Sequence, residues 1–100
     1  MPSIDPLADC RRKCLDDFKA RVKEATDNLR DNLAACKAAY DAALVRCASD
    51  PDPLACRDLA NDNFTECQRQ SAELFGAAVD TARLEYENCL TMCQLRFTHR

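Results

Sequence analysis

Apolar positions in this chain recur at helical spacing. A small-residue series runs Cys14, Ala25, Cys36, Cys47, and a second runs Cys56, Cys67, Ala78, Cys89. Eleven residues make about three turns at 3.6 residues per turn, so each series follows one side of a helix. Larger apolar side chains keep the same interval. Phe18, Leu29 and Tyr40 form one row, and Val22, Leu33 and Leu44 another. The second half carries an aromatic row, Phe64, Phe75, Tyr86 and Phe97, with Leu74, Val79 and Leu90 nearby. No stretch alternates apolar and polar as a half-buried strand does. The pattern predicts two long helices, about 6–48 and 53–97. Between them lies Ser49-Asp50-Pro51-Asp52-Pro53, the one interior proline cluster. Aspartate as N-cap followed by proline starts a helix, and Asp5-Pro6 gives the first helix the same opening.

The eight cysteines fix how the helices meet. They fall at 10, 14, 36, 47, 56, 67, 89 and 93, and the spacing reads the same from either end. Eight cysteines permit about 105 pairings. Pairing outermost with outermost gives Cys10–Cys93, Cys14–Cys89, Cys36–Cys67 and Cys47–Cys56, and each pair of numbers totals 103. A constant total is the signature of an antiparallel hairpin without insertions. Its centre falls between Pro51 and Asp52, where the proline cluster independently places the turn. The same total sets Ala25 opposite Ala78 and Ala43 opposite Ala60. Small residues are needed there, because a disulfide holds Cα atoms about 5.5–6 Å apart, whereas packed helices usually lie roughly 8–10 Å apart.

The expected fold is therefore all-α: one antiparallel two-helix hairpin, residues 1–100, with its turn at 49–53 and four nested disulfides. Helices of this length measure about 60–65 Å. Two helices enclose little core, so staples worth roughly 2–4 kcal/mol each are expected to carry much of the stability. The eleven-residue repeat predicts a straight or faintly right-handed pair. A shift of 46 residues matches Cys10 with Cys56, Phe18 with Phe64, Tyr40 with Tyr86 and Cys47 with Cys93, which suggests a duplication. The apolar surface exceeds what one seam covers. Phe64, Phe75, Tyr86 and Phe97 are the expected partner-binding face, for a second copy completing a four-helix bundle or for another protein.

Composition narrows the function. Sixteen alanines, one glycine and four prolines suit helices. The net charge of −3, with both signs interspersed, lacks the basic stripe of a nucleic-acid binder. Acids gather toward the turn (Asp41, Asp50, Asp52, Asp58, Asp62, Glu66), while Arg11, Arg12, Lys13, Arg96 and Arg100 mark the opposite end, diluted there by Asp5, Asp9, Asp16 and Asp17. No apolar run is long enough for a transmembrane segment. Met1-Pro2-Ser3-Ile4-Asp5-Pro6 has neither the basic nor the apolar part of a signal peptide, so a signal peptide is absent from this sequence. Paired cysteines nevertheless point to an oxidising compartment: secreted, cell-surface or periplasmic.

Enzymatic chemistry is not expected. The only histidine, His99, is penultimate and reads as frayed tail. Glycine-rich phosphate loops, C-x-x-C redox motifs and C-x-x-C-H haem sites are missing from the sequence. No cofactor is expected and no metal is assigned. The alternative is thiolate metal binding: Cys10, Cys14, Cys89 and Cys93 sit one turn apart in facing pairs and suit Zn or Cu(I). C-x3-C on helices resembles the bacterial copper-storage bundles. The twin motif Cys10/Cys14 and Cys89/Cys93 also resembles the small translocase chaperones of the mitochondrial intermembrane space, whose nested disulfides join two such motifs. Both resemblances are confined to that motif, and the 74 residues between the twin motifs depart from the chaperone pattern. The leading expectation is a non-enzymatic exported structural or protein-binding module that is rigid and self-associates or binds a partner. A secreted toxin, inhibitor or antimicrobial hairpin is a third reading, against which the charge of −3 weighs.

Overall fold

A computed structural model describes residues 5–98, so His99 and Arg100 lie outside the described residues. It contains two helices, α1 (Pro6–Cys47) and α2 (Pro53–Thr98), packed as an antiparallel hairpin with four disulfides. No strand occurs among the described residues. Both helix starts follow the aspartate-proline signal. Asp5 Oδ1 accepts hydrogen bonds from the backbone N–H of Leu7 at 3.0 Å and Ala8 at 3.2 Å. Asp52 Oδ1 accepts from Ala55 N–H at 3.2 Å, and Asp50 Oδ1 accepts from Asp52 N–H at 2.8 Å. Proline at the first helical position gives up an N–H that would otherwise lack an intrahelical acceptor.

The end of α1 needs no glycine. Ala48, Ser49 and Asp50 donate their N–H groups to the carbonyls of Val45, Arg46 and Cys47, tightening the last turn. Ser49 Oγ also donates to the Arg46 carbonyl at 3.3 Å. No non-glycine residue described adopts positive φ. The chain therefore reverses on side-chain caps and proline rather than on a left-handed residue.

Two compact units make up the chain. Among the described residues the terminal unit comprises 5–25 and 77–98, and the loop unit comprises 26–76. In each, a segment of α1 runs antiparallel to a segment of α2, and only small residues fill the seam. The terminal unit buries Cys14, Ala25, Ala82 and Cys93. The loop unit buries Cys36, Cys47, Ala60 and Ser71. Cα atoms of the disulfide partners lie between 5.4 and 5.8 Å apart, closer than large core side chains allow. Ser71, the one buried polar residue among those described, donates Oγ–H to the Cys67 carbonyl at 2.9 Å, so its burial leaves no unsatisfied group.

One sequence expectation is corrected here. Ala78 does not share the seam with Ala25, because Ala78 is exposed while Ala82 is buried. The buried row of α2 is Ala60, Ser71, Ala82 and Cys93, one turn beyond the cysteine row Cys56, Cys67 and Cys89. A constant total identifies residues at equal height along a hairpin. It leaves open which of two neighbouring rows points inward. The disulfides cross obliquely, joining a buried cysteine on one helix to a half-buried one on the other.

Candidate functional site

In the terminal unit two disulfides stand one helical turn apart, Cys10–Cys93 and Cys14–Cys89. Their polarity is opposed. Cys14 and Cys93 are the buried members, while Cys10 and Cys89 are half-buried. The two buried sulfurs therefore meet at the centre of the seam, with 3.5 Å between Cys14 Sγ and Cys93 Sγ. The sulfurs of Cys10, Cys14 and Cys93 all lie within 4.8 Å of one another. The loop unit is built differently. Its disulfides, Cys36–Cys67 and Cys47–Cys56, are eleven residues apart on each helix, about 16 Å. The sulfur of Cys36 meets the hydroxyl of Ser71 at 3.7 Å rather than another sulfur.

Each unit carries part of the aromatic row beside its own seam. In the terminal unit, Tyr86 lies against Phe18 with ring centroids 5.1 Å apart. In the loop unit, Phe64 stacks on Tyr40 at 4.7 Å, and Tyr40 donates its hydroxyl to Asn61 Oδ1 at 2.7 Å. Phe75 is half-buried, as is Leu29. Phe97 is 41% exposed, with the Arg96 guanidinium 5.9 Å from its ring centroid. A signal for this arrangement exists in the sequence. Phe18 with Tyr86, Leu29 with Phe75, and Tyr40 with Phe64 each total 104, one more than the cysteine pairs. The row on α1 thus meets the aromatic row at one common register.

Large apolar side chains remain outside the seam. In the terminal unit Leu84, Met92 and Leu95 are each more than half exposed, and their spacing puts them on one side of α2. In the loop unit Val45, Leu54, Leu59 and Leu74 are exposed to a similar or greater degree. These residues, rather than Phe64, Phe75 and Tyr86, carry most of the open apolar surface.

Charged groups form a solvated coat. In the terminal unit Arg21 reaches across the seam to Glu85 at 3.3 Å, Arg11 donates to Gln94 Oε1 at 3.0 Å, and Arg12 pairs with Asp9 at 2.9 Å. In the loop unit Lys37 pairs with Asp41 at 3.0 Å, and Arg69 bridges Glu66 and Glu73 along α2. The Arg69 hydrogen bond holds the Glu66 carboxyl below its usual value of 4.5, and the same pairing raises Arg69. Both groups are fully exposed, so screening by water leaves them a minor part in stability.

Four formed disulfides belong to an oxidising environment. No described helix is long and apolar enough to cross a membrane. Comparison with known proteins finds no matching family, no similar curated protein and no similar solved structure.

Proposed function

We propose that this chain is a non-enzymatic, disulfide-stabilised helical binding module that is secreted, cell-surface or periplasmic. The observation behind this reading is how the residues are spent. Cysteine, alanine and one serine occupy the buried seam, while Val45, Leu54, Leu59, Leu74, Leu84, Met92 and Leu95 stand outside it. A chain that needed large apolar residues only for folding would bury them, since each is worth about 1.5–3 kcal/mol when fully covered. Here the crosslinks fix the helices and free those side chains for contact with a second molecule. The outer side of α2 bearing Leu84, Met92 and Leu95 is the contact face. A second copy is the occupant favoured by this reading, as in a four-helix bundle.

Sedimentation equilibrium of the oxidised protein tests it. A concentration-dependent dimer is expected, and Leu84→Glu with Leu95→Glu should return it to monomer. The thermal midpoint of each monomer should be little changed, because both positions are exposed. A wild-type chain that stays monomeric at high concentration overturns self-association through this face.

A further inference from the structure

We propose that Cys10, Cys14, Cys89 and Cys93 form a second kind of staple, a four-thiolate site for Zn2+ that replaces the two terminal disulfides when a dithiol reductant opens them. The inference is independent of the apolar contact face. Its starting point is the clustering of sulfur. Three of the four sulfurs lie within 4.8 Å of one another, and the fourth, Cys89, is bonded to Cys14. A tetrahedral zinc site with Zn–S bonds of about 2.3 Å needs sulfurs roughly 3.8 Å apart. Cys14 and Cys93, which are not bonded to each other, already stand at 3.5 Å. Once the S–S bonds are gone, the side chains of Cys10 and Cys89 are free to rotate toward that pair. Because each C-x3-C pair sits on successive turns of a formed helix, little backbone movement is required.

The chemistry balances. Each disulfide takes two electrons and two protons from one dithiol, so two dithiols become two disulfides and the chain gains four thiols. Zn2+ then displaces four protons, leaving a tetrathiolate of net charge −2. Arg11, Arg12, Lys13 and Arg96 neighbour these cysteines in the sequence, interspersed with Asp9, Asp16 and Asp17. In the reverse direction, two disulfide oxidants take four electrons from the thiolates, re-form Cys10–Cys93 and Cys14–Cys89, and release the metal. The loop unit cannot do this. Its cysteine pairs are about 16 Å apart along the helices and would each offer only two sulfurs. The terminal unit would thus be held together in reducing as well as oxidising surroundings, by metal in one and by disulfides in the other.

The test is titration of the full chain, reduced with a water-soluble phosphine, with Co2+ as a visible probe, followed by displacement with Zn2+. One Co2+ per chain is expected, with the charge-transfer and d–d absorption of a tetrahedral four-thiolate complex. Cys36→Ser with Cys67→Ser should retain that spectrum and stoichiometry. Cys10→Ser with Cys93→Ser should weaken binding by more than about 100-fold, since loss of supporting groups alone costs roughly 10–100-fold. If that variant does not fold, Cys14→Ser should convert the spectrum to that of a three-thiolate site. Absence of a four-thiolate spectrum in the wild type overturns the proposal. So does a site indifferent to Cys10, Cys14 and Cys93, or one equally lost when Cys36 and Cys67 are replaced.

Discussion

The terminal and loop units use the same parts in different arrangements. Each has two disulfides and one aromatic pair across the seam. A shift of 46 residues relates the shared parts. It carries Cys10 and Phe18 onto Cys56 and Phe64, and Tyr40 and Cys47 onto Tyr86 and Cys93. Hence Cys10–Cys93 and Phe18–Tyr86 in the terminal unit are equivalent to Cys47–Cys56 and Tyr40–Phe64 in the loop unit. The remaining disulfides break the equivalence. Cys14–Cys89 corresponds to Ala43 and Ala60 in the loop unit, and Cys36–Cys67 corresponds to Ala82 and Arg21 in the terminal unit. One unit thus has its second crosslink beside the first, and the other has it three turns away. Adjacent crosslinks concentrate sulfur and guard one point twice. Spaced crosslinks distribute the constraint.

The largest effect should come from removing that double guard. Replacing Cys10, Cys14, Cys89 and Cys93 together by serine should cost roughly 4–8 kcal/mol, at about 2–4 kcal/mol for each crosslink. Removing Cys14 and Cys89 alone should cost less than half as much, since Cys10–Cys93 still ties the neighbouring turn. Hydrogen exchange of the oxidised variants locates the loss. Amides of residues 6–25 and 77–98 should lose protection while those of 26–76 keep theirs; equal loss in both would break the comparison.

A smaller effect tests the equivalence itself. Ala43→Cys with Ala60→Cys should oxidise to a fifth disulfide beside Cys47–Cys56, reproducing the terminal arrangement in the loop unit. Both alanines line one cleft there together with Tyr40 and Phe64. Intact mass should fall by two further hydrogens, and peptide mapping should join the new cysteines to each other. Two free thiols after oxidation would show that the loop unit's seam differs in geometry as well as composition.

The smallest effect concerns acid. Glu66 has its carboxyl lowered by Arg69, so the charged form is favoured in the folded chain. Its contribution is present above the ordinary glutamate value of 4.5 and is lost as pH falls through the lowered folded value. Carbon NMR titration of the Glu66 carboxyl should give a midpoint below 4.5, and Arg69→Gln should return it to the ordinary range. A wild-type midpoint at or above 4.5 would remove this link between acid and the loop unit.

Much of the fold was legible because its constraints are arithmetic. The aspartate-proline pairs locate both helix starts, and the constant total of 103 names the antiparallel partner of every cysteine. Helix limits agree with expectation to one residue, at Cys47 and Thr98. The aromatic surface was less legible. Phe64 and Tyr86 look like surplus when each helix is read alone, and become half-buried on the flank of the seam once Tyr40 and Phe18 lie against them.

By itself, then, the sequence determined the heights: which residues lie level across the hairpin, where it turns and which cysteines join. Those follow from the fixed rise per residue and from covalent bonding, which act along the chain. Tertiary structure decided the directions. It chose Ala82 over Ala78 for the seam, brought Cys14 against Cys93, and left Leu84 and Leu95 outside. Rotation of one helix about its axis is settled by packing against the other, and neighbouring rows of small residues differ too little in hydrophobicity for the sequence to choose between them.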